Sequence, residues 1–198
     1  DGTPADPLNL VEYRFTDSRT LRIPGDWNMQ DPTLWLYEGP VWYRTTFATP
    51  ADATTKRQFL HFGAVNYLAS VYLNGALVAK HEGGFTPFSV ELTGKLRPGE
   101  NLLVVRAETV PARKTDWWNY GGITRDVLLV STPRAFIRDY SVRLADLKQR
   151  RIAVDVVVDG SGAGAKLRVE IPALKRGVTL TADAEGRASG SFTAPVTL

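Results

Sequence analysis

The residues best suited to chemistry lie in one run, from Asp116 to Val127, where a carboxylate, an amide and three large aromatic rings precede two glycines. Side chains alternate between the two faces of a strand, so Trp117 and Trp118 cannot both point into a core. One of these rings is therefore expected near a surface or cleft. Asp116 and Asn119 carry planar polar groups that can hydrogen-bond sugar hydroxyls, while aromatic faces cover the C–H patches of a sugar ring. The run predicts a carbohydrate-contacting site.

A second interpretation of the same run is open at this stage. An Asp-capped turn followed by core aromatics has the same composition, and Gly121-Gly122 then serves only to bend the backbone sharply. Arg125-Asp126 fits a pair at the entry to a strand. His61 and His81, the only histidines, have no third ligand or base near them in the sequence. Neither zinc chemistry nor a catalytic triad is predicted, and no cofactor or metal is expected.

Composition excludes several classes of protein. The chain has 198 residues, and its 24 basic and 21 acidic residues are interspersed to give a net charge of +3, so no nucleic-acid partner is predicted. The absence of cysteine excludes disulfides and thiol catalysis. No apolar run approaches the ~20 residues that span a bilayer, so no membrane association is expected. The compartment stays open, with a periplasmic or secreted location favoured over a cytoplasmic one.

The elements that must position the aromatic run are predicted to be strands. From Val41 the side chains fall into two alternating sets, which is the period of a strand: Val41, Tyr43, Thr45 and Phe47 alternate with Trp42, Arg44 and Thr46. The strand Ala69 to Leu73 stops at Asn74-Gly75, the favoured pair for a type I′ hairpin turn. Leu102 to Ala107 is apolar on both faces and predicts an inner strand. No segment of helical length shows a 3.6-residue period, so the fold class is all-β.

The two ends of the chain are predicted to differ from its centre. Residues 1–40 are rich in turn formers, and we expect a covering segment with a short extended piece at 20–23 and two buried anchors, Trp27 and Trp35. Thr132-Pro133 marks a boundary. Beyond it the pattern predicts four or five strands, with 159–164 as a hairpin connection.

The number of strands after this boundary has a consequence for assembly. An immunoglobulin-type sandwich needs about seven strands, so the second unit is expected to be incomplete. Open sheet edges favour pairing with another chain. We therefore expect either a homodimer formed by strand exchange or poor order over roughly 160–198.

Taken in order, these segments resemble family 2 glycoside hydrolases, particularly the β-glucuronidases and more distantly the β-galactosidases and β-mannosidases. Five motifs in the correct order carry the resemblance: Glu38-Gly39-Pro40-Val41-Trp42-Tyr43-Arg44, Val71-Tyr72-Leu73-Asn74-Gly75, His81-Glu82-Gly83-Gly84-Phe85-Thr86-Pro87-Phe88, Gly99-Glu100-Asn101 and the Asp116 to Val127 run. The resemblance implies a jelly-roll, sugar-binding β-sandwich over 1–132 and part of an immunoglobulin-like β-sandwich over 133–198.

Two departures from the family pattern bear on activity. The Leu-x-Gly-x-Trp strand that usually opens the family is not recognisable, and the TIM barrel that carries both catalytic glutamates is absent. Retaining glycosidases need two carboxylates ~5–5.5 Å apart. The family's acid/base follows an asparagine, and this chain has no Asn-Glu dipeptide. No catalytic residue is predicted, and the chain alone is expected to be inactive, although its parent is expected to be a retaining β-glycosidase.

The resemblance also implies a role for the aromatic run. Asp116 would reach into the mouth of the barrel and bind the sugar beside the scissile bond, with Trp117, Trp118 and Asn119 as the surrounding wall. The loop from His81 to Phe88 would form a second rim of this cleft, or Phe85 and Phe88 would plug the end of the sandwich.

Other interpretations of the whole chain stay open. Jelly rolls also serve as lectins, so a free-standing carbohydrate-binding module is an alternative, and a structural or interaction domain is another. The expected partner is a β-glycoside. The sequence does not separate glucuronide, galactoside and mannoside.

Overall fold

A computed structural model describes residues 15, 17–109 and 120–195. By their contacts the residues divide into two compact units, Asp1–Ser131 and Thr132–Leu198, and each unit is described by itself. Both units are built almost entirely from β-strands, which confirms the predicted all-β class. Within the described part of the chain, no helix is long and apolar enough to cross a membrane.

The described residues of the first unit form nine strands and two short helical segments. The helical segments are α1 (Trp27–Gln30) and a 3₁₀ turn (Pro32–Leu34). The strands are β1 (Gly25–Asp26), β2 (Pro40–Ala48), β3 (Arg57–Phe62), β4 (Leu68–Leu73), β5 (Ala76–Glu82), β6 (Phe88–Glu91), β7 (Glu100–Glu108), β8 (Gly122–Ile123) and β9 (Val127–Thr132).

These strands form three sheets. One has four strands in the order β2-β7-β4-β5, one has three in the order β6-β3-β9, and β1 pairs with β8 alone. The two larger sheets contribute alternate side chains to one core, which includes Leu60 and Phe62 from β3 and Val71 and Val105 from β4 and β7. This alternation is the strand period that the sequence displays.

Two predicted features of the large sheet are confirmed. Asn74 and Gly75 have φ values of 50° and 89°, as a type I′ turn requires, and they join β4 to β5. β7 pairs with both β2 and β4, so the strand that is apolar on both faces lies inside the sheet. The returning strand β5 extends to Glu82.

The covering segment has only one of its two predicted tryptophan anchors. Trp27 is fully buried, whereas Trp35 is 54% exposed, so the prediction for Trp35 was wrong. The 3₁₀ turn directs Leu34 against the core, and the next residue then points outward. Residues 20–23 pair with no other strand, and whether they are extended stays a prediction.

The segment is held by a carboxylate at the junction of α1 and the 3₁₀ turn. Asp31 accepts hydrogen bonds from the backbone N–H of Thr33 at 2.9 Å and from its hydroxyl at 2.7 Å, and it pairs with Arg19. These contacts, the Thr33 hydroxyl first, lower the pKa of Asp31 from 3.8 to about 2. Because they favour the charged form, they stabilise the fold only while Asp31 is ionised.

We predict that Asp31→Asn lowers the melting temperature at neutral pH and flattens its acid dependence. The folded pKa lies below the unfolded value, so the stabilising effect is present above about pH 4 and disappears as the pH falls toward 2. Melting curves between pH 7 and 2 should therefore converge for wild type and variant. An unchanged difference at pH 2 would contradict this origin of the effect.

Up to residue 195, the second unit forms five strands in two sheets. They are β10 (Phe136–Asp146), β11 (Arg151–Asp159), β12 (Lys166–Ile171), β13 (Arg176–Thr181) and β14 (Arg187–Thr193). One sheet has the order β10-β11-β14 and the other consists of β12 and β13. Alternate residues of β11, from Ile152 to Val158, form the core with Leu180, Ala182 and Ala188.

Residues 159–164 do not form the predicted hairpin. They join β11 to β12, which belong to different sheets, so this loop crosses between layers. The pattern of the sequence does not indicate β13 as a separate strand. Strands occupy much of 166–193, so the predicted poor order is wrong for these residues. Strand exchange between two copies stays a prediction.

Candidate functional site

The four predicted sugar-contacting residues, Asp116, Trp117, Trp118 and Asn119, lie outside the described residues. The structure does describe both flanks of the segment that carries them, which are Thr109 at the end of β7 and Tyr120 before β8. The elements that hold these two residues define the base of the site.

The Gly121-Gly122 pair is buried in a space that side chains would fill. A Cβ on Gly121 would overlap the six-membered ring of Trp27 and lie 2.6 Å from Cγ2 of Thr109. Gly122 has a φ of 143°, and a Cβ there would lie 2.7 Å from the carbonyl oxygen of Gly25. Gly121 has no space for a side chain. Gly122 has no space either, and its positive φ also favours glycine.

Asn28 clamps this turn from one side. Its side chain is 1% exposed, and its Oδ1 accepts a hydrogen bond from the backbone N–H of Gly121 at 3.0 Å. Its Nδ2 donates to the carbonyl of Leu34 at 2.8 Å, with longer contacts to those of Trp35 and Tyr37. One buried amide thus ties the turn to the covering segment.

Asn66 clamps the turn from the other side. Its backbone exchanges two hydrogen bonds with Gly122, at 2.8 and 3.2 Å, and its Nδ2 donates to the carbonyl of Tyr120 at 2.6 Å. Gly84 packs on the same side chain, because a Cβ there would lie 2.8 Å from Cγ of Asn66. Asn66 therefore joins the turn to the loop between β5 and β6.

The other flank is fixed by the loop before β2. The hydroxyl of Thr109 accepts a hydrogen bond from the backbone N–H of Gly39 at 3.0 Å, and Thr109 itself is buried. Tyr43 of β2 lies behind the turn, where burial raises the pKa of its hydroxyl above the ordinary value. Thr109 and Tyr120, which flank residues 110–119, are therefore both held in place by hydrogen bonds.

The loop from His81 to Phe88 bears on the predicted plug at the end of the sandwich, while its role as a rim of the cleft stays a prediction. Phe88 stacks on Phe62 with centroids 4.7 Å apart and on His81 at 4.2 Å, so this ring closes the end of the sandwich. Phe85 is 79% exposed and plugs nothing. The prediction of a plug holds for Phe88 and is wrong for Phe85.

Each of the two histidines lies beside a hydroxyl group. His61 lies 3.0 Å from the hydroxyl of Ser89, and His81 lies 3.0 Å from that of Thr86. Over 15, 17–109 and 120–195, no group of three or more potential ligands is placed to hold a metal ion.

The fold has counterparts among known proteins. The family model described as "Glycosyl hydrolases family 2, sugar binding domain" matches residues 5–133. The chain belongs to glycosyl hydrolase family 2. The resemblance drawn from the five motifs is thereby confirmed.

Its relatives include both β-glucuronidases and β-galactosidases. A β-glucuronidase of Paenibacillus borealis is 30% identical in an alignment of 183 positions, which covers 78% of this chain and 30% of that protein. A β-galactosidase of Thermoanaerobacter pseudethanolicus is 34% identical over 112 residues, covering 52% of this chain and 15% of that protein.

A solved β-glucuronidase structure has the same fold as this chain. The β-glucuronidase of Bifidobacterium dentium, solved with coumarin-3-O-glucuronide, superposes with a TM-score of 0.79 at 28% identity. The match covers 94% of this chain and 38% of that one. The family 2 chain thus spans well under half the length of these relatives.

The two asparagines that hold the site, Asn28 and Asn66, were not predicted from the sequence. Asn28 and Asn66 lie in segments without a recognisable motif, and their partners are 93 and 54 residues away along the chain. Asn66 follows β3 within an apolar stretch. This position is the one local sign that its side chain is buried and needs a hydrogen-bond partner inside the protein.

Proposed function

We propose that this family 2 chain is the sugar-binding and barrel-supporting part of a retaining β-glycosidase that acts on β-glucuronides or β-galactosides. In this proposal the chain supplies neither the acid/base nor the nucleophile. The relatives named β-glucuronidase and β-galactosidase support the substrate class, and the chain covers 30% and 15% of their lengths.

The clamp on Gly121-Gly122 is the observation that carries the proposal. Asp116 stands five residues before Gly121, so it lies within roughly 17 Å of that fixed point even if the chain is fully extended. Its other flank starts from the buried Thr109. Both flanks of the segment that carries Asp116 are thus held by the sandwich.

The residue types in the tethered segment suit a sugar. Asp116 would accept hydrogen bonds from sugar hydroxyls, and such charge-assisted bonds are stronger than neutral ones. Trp117 and Trp118 would cover the apolar face of the ring, with Asn119 as an additional donor and acceptor. The carbohydrate substrate is then cleaved by carboxylates of another domain.

The proposal is tested with Asp116→Asn in the natural protein that carries this chain. Release of p-nitrophenol from the β-glucuronide and the β-galactoside identifies the substrate, and a loss of kcat/KM in the variant supports the assignment. Unchanged kinetics would remove Asp116 from the site. Hydrolysis by residues 1–198 alone would contradict the non-catalytic role.

A free-standing carbohydrate-binding module is the second candidate. It is favoured by the exposed rings of Trp35 and Phe85, which lie on segments held by the two clamping asparagines. Calorimetry with residues 1–198 and simple sugars separates the two candidates, because a module binds sugar without the barrel.

A further inference from the structure

One edge of the larger sheet in the second unit is formed by β10. Among the described residues β10 pairs only with β11, so its other side presents unpaired backbone N–H and C=O groups. Such an edge is a template to which another strand can add. The register of β10 with β11 is regular from Asp139 to Leu144, between two register shifts. This regular stretch is the part of the edge that a further strand can pair with.

The core-facing side of this stretch is apolar and uncovered. Tyr140 and Val142 lie opposite Val156 and Val154 of β11, so these four side chains share one face of the sheet. The two β11 valines are 4% and 1% exposed, whereas Tyr140 is 72% and Val142 43% exposed. The buried core of this unit therefore ends at β11, and β10 carries an aromatic and a branched side chain beside its unpaired edge.

The opposite face of the same stretch carries charges of both signs. Asp139 and Arg143 stand two residues to either side of Ser141, and all three are exposed. Arg143 pairs with Asp155 of β11, but its side chain stays 57% exposed. A guanidinium has several N–H donors, so Arg143 can bind a second carboxylate. Because charges on an edge strand oppose pairing with most other strands, this edge requires a partner with complementary charges.

A second copy of β10 is complementary to the first in one register. A two-fold axis through Ser141 sets each residue of one antiparallel strand opposite the residue equally far beyond the axis on the other. Asp139 then faces Arg143 of the second copy, and Tyr140 faces Val142, each twice. Opposite charges and aromatic–β-branched pairs in these positions stabilise antiparallel strands. An axis through Tyr140 or Val142 breaks both matches.

We infer that the unpaired edge of β10 binds a second copy of this chain, in antiparallel register about Ser141. The two sheets β10-β11-β14 then join into one continuous sheet across the two-fold axis, and each copy contributes the same surface. No strand is exchanged, since each β10 keeps its pairing with its own β11. The inference is independent of the proposed sugar-binding function.

Charge complementation between two variants tests this register. Sedimentation velocity of the 198-residue chain over a range of concentrations gives the dissociation constant of the dimer. Asp139→Arg places two cations opposite each other at both ends of the pairing, so we expect it to raise this constant about tenfold. Arg143→Asp should do the same with two anions. An equimolar mixture of the two variants restores both opposite-charge pairs and should dimerise as the wild type does.

Glu185→Arg is the matched control, because it makes the same change of charge at an exposed position between β13 and β14. It should leave the dissociation constant unchanged. Melting curves establish that each variant is folded. A dimer that Asp139→Arg does not weaken, or folded variants whose mixture stays monomeric, would overturn the inference.

Cross-linking gives a second measurement that does not depend on charge. The chain contains no cysteine, so Ser141→Cys introduces a single thiol, which the two-fold axis places about 5 Å from its counterpart. A short bismaleimide should link this variant into a covalent dimer, and Glu185→Cys should stay unlinked. A chain that is monomeric at every concentration, or Ser141→Cys without a covalent dimer, would overturn the inference and leave this edge to another strand of the natural protein.

Discussion

Gly121→Ala is expected to destabilise the first unit by about 3 kcal/mol, because the added methyl group has no space to occupy. It would overlap the ring of Trp27, which is itself fully buried, and crowd Thr109. Neither neighbour can withdraw easily, since Trp27 lies in the core and Thr109 is bonded to Gly39. Denaturant unfolding of residues 1–198 measures the loss.

A double-mutant cycle identifies the clash as the cause. Trp27→Leu removes the ring that meets the new methyl group, so Gly121→Ala should cost clearly less in that background than in the wild type. Gly162→Ala is the matched control, because nothing lies within 4 Å of its Cβ position. Strict additivity of Gly121→Ala and Trp27→Leu would show that the space around Gly121 is not the cause.

Asp116→Asn in the natural protein is expected to lower kcat/KM about 100-fold on its preferred β-glycoside. A hydrogen bond to a charged group contributes roughly 1.5–3 kcal/mol, and the asparagine keeps the shape while losing the charge. Steady-state kinetics on the β-glucuronide and β-galactoside measure the effect. The melting temperature should stay at the wild-type value.

Asp126→Asn provides the control for this prediction. Asp126 is an exposed acid ten residues further along, whose carbonyl accepts a hydrogen bond from Gly63 at 2.9 Å. That contact is made by the backbone, so the substitution should leave both stability and kinetics unchanged. A similar kinetic loss in both variants would indicate that general surface charge, rather than Asp116, acts on the substrate.

Much of the fold was predictable because strands carry a strong local signal. The alternation in β2 and the Asn74-Gly75 turn each specify their structure through neighbours along the chain. The family could be identified from five short motifs, whose residues include Gly121 and Gly122. The residue types of a sugar site, a carboxylate among aromatic rings, were also evident without coordinates.

The sequence by itself determined the strands, the turn residues and the chemistry that Asp116 offers, because these depend on side-chain type and period. Only the tertiary structure decided that Trp27 is buried while Trp35 is exposed, and that residues 159–164 cross between sheets. It alone revealed Asn28 and Asn66 as the clamp. The turn residues that they bond are 93 and 54 residues away along the chain, and such contacts form only when separate segments come together.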